Sequence, residues 1–274
     1  MASTPRRTKT ANRAVTLSPY FSRAGYIAPH TTALQSDSGF VSDDGDDDDS
    51  FDSELFPCDP LFCYYFRSFL VLYRQLAVLK PALMQERVSD DPWKLLVAVT
   101  LLNKTSGRLA ILVFWKIIGK WATPWALSQA DTAELTAIIQ SLGTQNIRAR
   151  RLINLSKRYL EDPPRLPDLR PSTPRAPSSC CPPKRDRYPP TPISHLPGAG
   201  PYALDSYRIF CTVGHPSTAE EWKIVMPSDK ELIRYLRWKW AFIERKEWAP
   251  MLGVIRPVTL AYLKSLVSEL NINL

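Results

Sequence analysis

Cysteine, histidine and long apolar runs are all scarce in this chain, and each scarcity removes a class of protein. No segment is apolar for the length of a bilayer crossing. Met1 to Arg13 holds Arg6, Arg7 and Lys9 with no apolar stretch behind them, so it does not read as a secretory leader. The five cysteines, Cys58, Cys63, Cys180, Cys181 and Cys211, include an adjacent pair but no C-x-x-C spacing. That pattern fits neither a zinc site nor a disulfide framework and points to a reducing compartment. His30, His195 and His215 are scattered and offer no metal-ligand spacing, so no cofactor and no membrane association are expected. Alternation of apolar and polar residues is missing too, and the sequence predicts an all-α fold.

Proline, serine and aspartate concentrate in two stretches that cannot build a core, which leaves one compact domain within 274 residues. Residues 1–56 are predicted to be disordered, with a dense acidic run from Asp43 to Glu54. Residues 162–192 form a Pro-rich insertion or linker inside a domain running over 57–252; an unspliced segment would explain it equally well. Residues 253–274, with Leu260, Leu263, Leu266 and Leu270, read as an amphipathic helix or tail. The net charge of +8 includes the acidic run, so the folded part is more basic than the chain as a whole. A basic body favours polyanions such as nucleic acid.

Helix starts are marked locally. Residues from about Asp59 to Leu83 are aromatic and aliphatic and predict a helix packed on the core. Asp91-Pro92 supplies an N-cap with proline at the first helical position, and Leu95, Leu96, Val99 and Leu102 follow at helical spacing. A stripe of Leu109, Leu112, Val113 and Ile117 predicts the next helix. Thr123-Pro124 and the Asp131/Glu134 box open two more, and Gly143 closes the second. From Asn146 to Tyr159 the pattern turns Ile147, Leu152, Leu155 and Tyr159 inward and Arg148, Arg150, Arg151, Lys157 and Arg158 outward.

Leu196-Pro197-Gly198-Ala199-Gly200-Pro201-Tyr202 is a G-x-G turn feeding a helix that starts at Pro201. Glycines there allow backbone angles closed to other residues and bring main-chain N–H groups toward a phosphate at a helix N-terminus. An ordinary glycine-rich turn has the same letters. Further along, Met226-Pro227-Ser228-Asp229-Lys230-Glu231 opens another helix, with Ser228 and Glu231 spaced as a capping box and Asp229 in the first turn, where the helix dipole suits an anion.

The hairpin LPGAG followed by an aspartate at a helix start resembles the helix-hairpin-helix DNA glycosylase superfamily. Upstream, DPWKLLVAVTLLNKTSG (Asp91 to Gly107), SLGTQNIRAR (Ser141 to Arg150), DSYRIFC (Asp205 to Cys211) and EWK (Glu221 to Lys223) are similar, in order and spacing, to the catalytic domains of the methyl-CpG-binding domain protein 4 group. The resemblance implies a two-lobed helical fold with a helix-hairpin-helix motif. It also implies an enzyme that hydrolyses the N-glycosidic bond of thymine or uracil mispaired with guanine. No methyl-CpG-binding domain is visible before it.

Carried over residue by residue, the resemblance makes Asp229 the catalytic acid. It places Gln85 and Tyr202 in the base pocket and sets Lys104, Thr144, Gln145, Arg148, Gly198 and Gly200 against DNA. Tyr202 stands where relatives that also cleave the strand have a lysine, so no lyase step is expected. Lys104 occupies the position of an arginine that enters the duplex, and Thr144 that of a leucine wedge. Asp205 reads as structural. No cysteine lies beyond Cys211, where some relatives bind an iron–sulfur cluster. The expected partners are double-stranded DNA with a damaged or mismatched pyrimidine and enzymes that process abasic sites. The expected state is a monomer in the nucleus. The alternative is a non-catalytic helix-hairpin-helix DNA-binding protein, which would keep Gly198 and Gly200 but need no acid at Asp229.

Overall fold

The computed structural model describes residues 60–165, 168–171, 188–212, 214 and 218–272. The acidic N-terminal run, Cys180-Cys181, most of the Pro-rich insertion and His215 lie outside the described residues. Helices dominate, as the sequence predicts. The chain runs through α1 (Pro60–Val78), α2 (Met84–Arg87), α3 (Pro92–Leu102), α4 (Gly107–Lys120), α5 (Pro124–Ser128), α6 (Thr132–Ile139) and α7 (Gln145–Glu161). It continues with α8 (Pro201–Phe210), α9 (Lys230–Phe242), strands β1 (Lys246–Ala249) and β2 (Gly253–Pro257), and α10 (Leu260–Ile272). Short 3-10 turns sit at Gln140–Leu142 and Glu221–Ile224.

Two helical groups share one core. In the first, α3 packs on α4 and α7, and α5 and α6 pack on α7. Buried Trp93 of α3 donates its indole N–H to Ser156 Oγ of α7 at 3.0 Å, so the largest side chain of that core has its polar atom satisfied. In the second, α1, α9 and α10 pack on one another, and Trp238 donates to the Leu76 carbonyl at 2.8 Å. Leu263, Leu266 and Leu270 of α10 are buried there. Helices α2 and α8 pack on each other and against α3 of the first group.

The predicted helix starts at Asp91, Thr123 and Asp131 hold. Asp91 accepts from the Trp93 and Lys94 amides, Thr123 from Ala126, and Asp131 from Glu134. Three expectations are corrected. The α4 stripe is Ala110, Val113, Phe114, Ile117 and Ile118, and Leu109 and Leu112 are exposed. Helix α1 buries only Leu72 and Leu76, and Tyr64, Tyr65 and Val78 stay exposed. Strands also exist: β1 and β2 pair antiparallel, with a register irregularity between Glu247 and Trp248. That irregularity turns two consecutive residues, Glu247 and Trp248, into the core and erases the alternation by which a strand is read.

The ends of the Pro-rich insertion are tied together. Arg170 makes a two-pronged ion pair with Asp162 at 3.2 and 2.5 Å and bridges to Thr191, so the segment leaves and rejoins the body at one place. After it, residues 191–196 form successive turns (Ser194 N to Thr191 O, Leu196 N to Ile193 O). Prolines on both sides interrupt any helical ladder.

Candidate active site

Three elements bring Gln85, Tyr202 and Asp229 together. Tyr202 lies in the first turn of α8, which opens with Gly200 as N-cap and Pro201 behind it. Gln85 lies on α2, is only 2% exposed, and donates from Nε2 to the Tyr202 hydroxyl at 2.7 Å. Burial first, and then the charge of neighbouring Asp229, push the Tyr202 hydroxyl far above its ordinary pKa, so it remains a neutral phenol. The next residue, Glu86, accepts from Lys80 Nζ at 2.6 Å and from Tyr235 Oη of α9 at 3.1 Å. The one-turn helix α2 is thus fastened to α8 by one residue and to α9 by the next. The sequence reading missed Glu86 and Tyr235; the only signal for Tyr235 is helical spacing on α9, which puts it on the same buried face as Leu232 and Leu236.

Asp229 is the N-cap of α9. Its Oδ1 accepts from the Glu231 amide at 3.0 Å and the Leu232 amide at 3.1 Å, and Oδ2 takes part in neither bond. The predicted capping box is corrected by one residue: Ser228 is exposed, and the helix starts at Lys230. A carboxylate is the stronger acceptor for amides at a helix start, so it takes the cap from the hydroxyl before it. The capped acid therefore has one oxygen held rigidly and a second available to a substrate.

At the hairpin the two glycines differ. Gly198 has φ +89, closed to ordinary side chains, and a Cβ there would sit 3.9 Å from Thr100 Oγ1. Gly200 has φ −86 and nothing within 4 Å of a Cβ. The expectation that both positions need glycine for backbone angles is corrected at Gly200, where the backbone is extended.

Lys104 and Thr144 are both exposed and both in left-handed backbone conformations, φ 56 and φ 48, and Gln145 beside Thr144 is partly buried. Arg148 corrects the sequence reading. It is 8% exposed and faces inward, and Ile147 is the exposed neighbour at 55%. All five of its N–H groups go to protein acceptors: Thr144 Oγ1, the Thr100, Leu101 and Asn103 carbonyls, and Thr105 Oγ1. A direct phosphate contact from this side chain has no donor left to make it. Asp205 is buried, with its pKa raised to about 6 by burial against the opposing pull of Arg208. Among the described residues no three His, Cys, Asp or Glu side chains stand grouped to hold a metal.

Comparison with known proteins gives the family context. The methyl-CpG-binding domain protein 4-like protein of Arabidopsis thaliana is 29% identical over 153 residues, 56% of this chain and 27% of that protein. The thymine-DNA glycosylase of Aeropyrum pernix is 38% identical over 71 residues, 26% of this chain and 32% of that one. By sequence, the chain is similar to DNA glycosylases. The thymine/uracil-DNA glycosylase of Pyrobaculum aerophilum adds a third match, 37% over 71 residues, covering 31% of its length. The chain thus spans about a third or less of these curated relatives. No protein-family model matches it. A solved structure of endonuclease III trapped as a covalent intermediate with DNA aligns over 74% of this chain and 77% of its own, at 16% identity and a TM-score of 0.39. The family resemblance read from the sequence blocks is the one these glycosylase relatives display.

Proposed function

We propose that the protein is a monofunctional DNA glycosylase that removes thymine or uracil paired with guanine, as arises when 5-methylcytosine or cytosine is deaminated. The observation that carries this reading is a buried amide bonded to a neutral phenol, Gln85 to Tyr202, with the carboxylate of Asp229 near enough for its charge to act on that phenol. A pyrimidine swung out of the duplex offers carbonyl oxygens and a ring N–H, which a side-chain amide matches with one donor and one acceptor. As the N-glycosidic bond breaks, the base leaves with the bonding electron pair and positive charge develops at C1′ of the sugar. Asp229 Oδ2 faces that charge and orients the water whose oxygen bonds to C1′. The displaced water proton neutralises the departing base, and an abasic site remains. Tyr202 has no amine to form an imine, so the strand stays intact. Such an enzyme acts on double-stranded DNA in the nucleus and hands its product to enzymes that process abasic sites.

The test is product analysis on end-labelled duplexes with a single G·T, G·U or G·C pair. Strands from G·T and G·U duplexes that break only after alkali are the expected product. Strand breaks before alkali would contradict the monofunctional assignment, and intact strands after alkali would contradict glycosylase activity itself.

A further inference from the structure

We propose that Arg148 is a positioning residue that holds the Lys104 loop and the Thr144 loop in one fixed arrangement, so that both meet the duplex as a unit. This rests on the reading of Lys104, Thr144 and Gln145 as the residues that meet DNA.

The argument starts from the end of α3. The last carbonyls of a helix lack intrahelical partners, and the cation of Arg148 fills that need at the Thr100 and Leu101 carbonyls, both at 2.8 Å. The same guanidinium then reaches the Asn103 carbonyl at 3.0 Å and Thr105 Oγ1 at 2.7 Å, the residues on either side of Lys104. Its remaining donor, Nε, goes to Thr144 Oγ1 at 3.1 Å. Thr144 is the N-cap residue of α7, yet its hydroxyl makes no capping bond to that helix. Both loops carry a non-glycine residue at positive φ, a conformation that persists only where its surroundings enforce it. One planar fork with five donors enforces both. A lysine keeps the charge but has three donors around a single nitrogen and cannot span acceptors on two loops.

Arg148→Lys tests this, with Thr105→Val as a milder second variant that removes one acceptor and leaves the arginine. Hydrogen exchange of the free protein over 100–107 and 142–148 is expected to accelerate in Arg148→Lys and that over α9 to stay as in the parent. At saturating enzyme, excision and flipping of the target base, followed by 2-aminopurine fluorescence next to the mismatch, are expected to slow roughly 10–100-fold. Affinity for the duplex is expected to change only a few-fold. Thr105→Val is expected to move the same readouts in the same direction by less. Unchanged exchange in the two loops, or unchanged flipping and excision rates, would overturn the proposal. A parent protein that excises nothing would instead overturn the glycosylase reading, and the exchange data would still show whether Arg148 holds the loops.

Discussion

Gln85 donates to the hydroxyl of Tyr202 at 2.7 Å across two helices that are far apart in sequence, and that bond joins the two side chains proposed to receive the base. Replacing Tyr202 by Phe removes the acceptor and leaves a buried amide N–H unpaired, which costs about 1–3 kcal/mol. Thermal unfolding of Tyr202→Phe is expected to shift down accordingly. Gln85→Ala removes the amide instead, and kcat/KM for uracil excision is expected to fall about 10–100-fold. An unchanged kcat/KM in Gln85→Ala would remove that residue from the pocket.

The hairpin glycines separate stability from binding. Gly198→Ala forces a side chain into φ +89 and is expected to lower stability by about 1–2 kcal/mol. Gly200→Ala meets open space at an ordinary φ, so its melting temperature should match the parent. If the Gly200 backbone approaches a DNA phosphate, duplex affinity falls in Gly200→Ala while stability does not. Equal melting losses in both variants would contradict the distinction.

Asp205 sets a pH dependence. Its carboxyl rises from 3.8 to about 6 on folding, chiefly through burial. Between those values the folded chain holds a proton that the unfolded chain has lost. The contribution therefore favours folding at low pH and disappears as pH rises through about 6. Asp205→Asn is expected to raise the melting temperature relative to the parent at about pH 7.5 and to leave it close to the parent at about pH 4. An equal gain at both values would mean that packing, not ionisation, governs the site.

Local chemistry made much of this structure readable in the sequence. Asp91-Pro92, Thr123-Pro124 and Asp131 start helices through bonds made within three residues, so their letters suffice. Arg148 shows the limit. Its spacing from Leu152 and Leu155 puts it on the buried face of α7, yet its residue type favours the surface, and its burial is explained by acceptors at the end of α3, in the loop after it and at Thr144. The β1–β2 hairpin is hidden because a bulge breaks its period, and α1 differs from its pattern because most of its aromatic side chains stay outside the core. The bonded pair of Gln85 and Tyr202 follows from no local spacing, and the family resemblance alone links the two with Asp229. The one-residue shift of the cap at Asp229 is not legible, because Ser228 and Asp229 both suit the position.

The most direct test of the central claim is the single-turnover excision rate of Asp229→Asn on G·U and G·T duplexes. Asparagine keeps an oxygen to accept from the Glu231 and Leu232 amides, so the helix start survives, and only the negative charge is removed. The account predicts a melting temperature and duplex affinity close to the parent, with excision slowed at least about 100-fold. Excision at the parental rate in Asp229→Asn would contradict it.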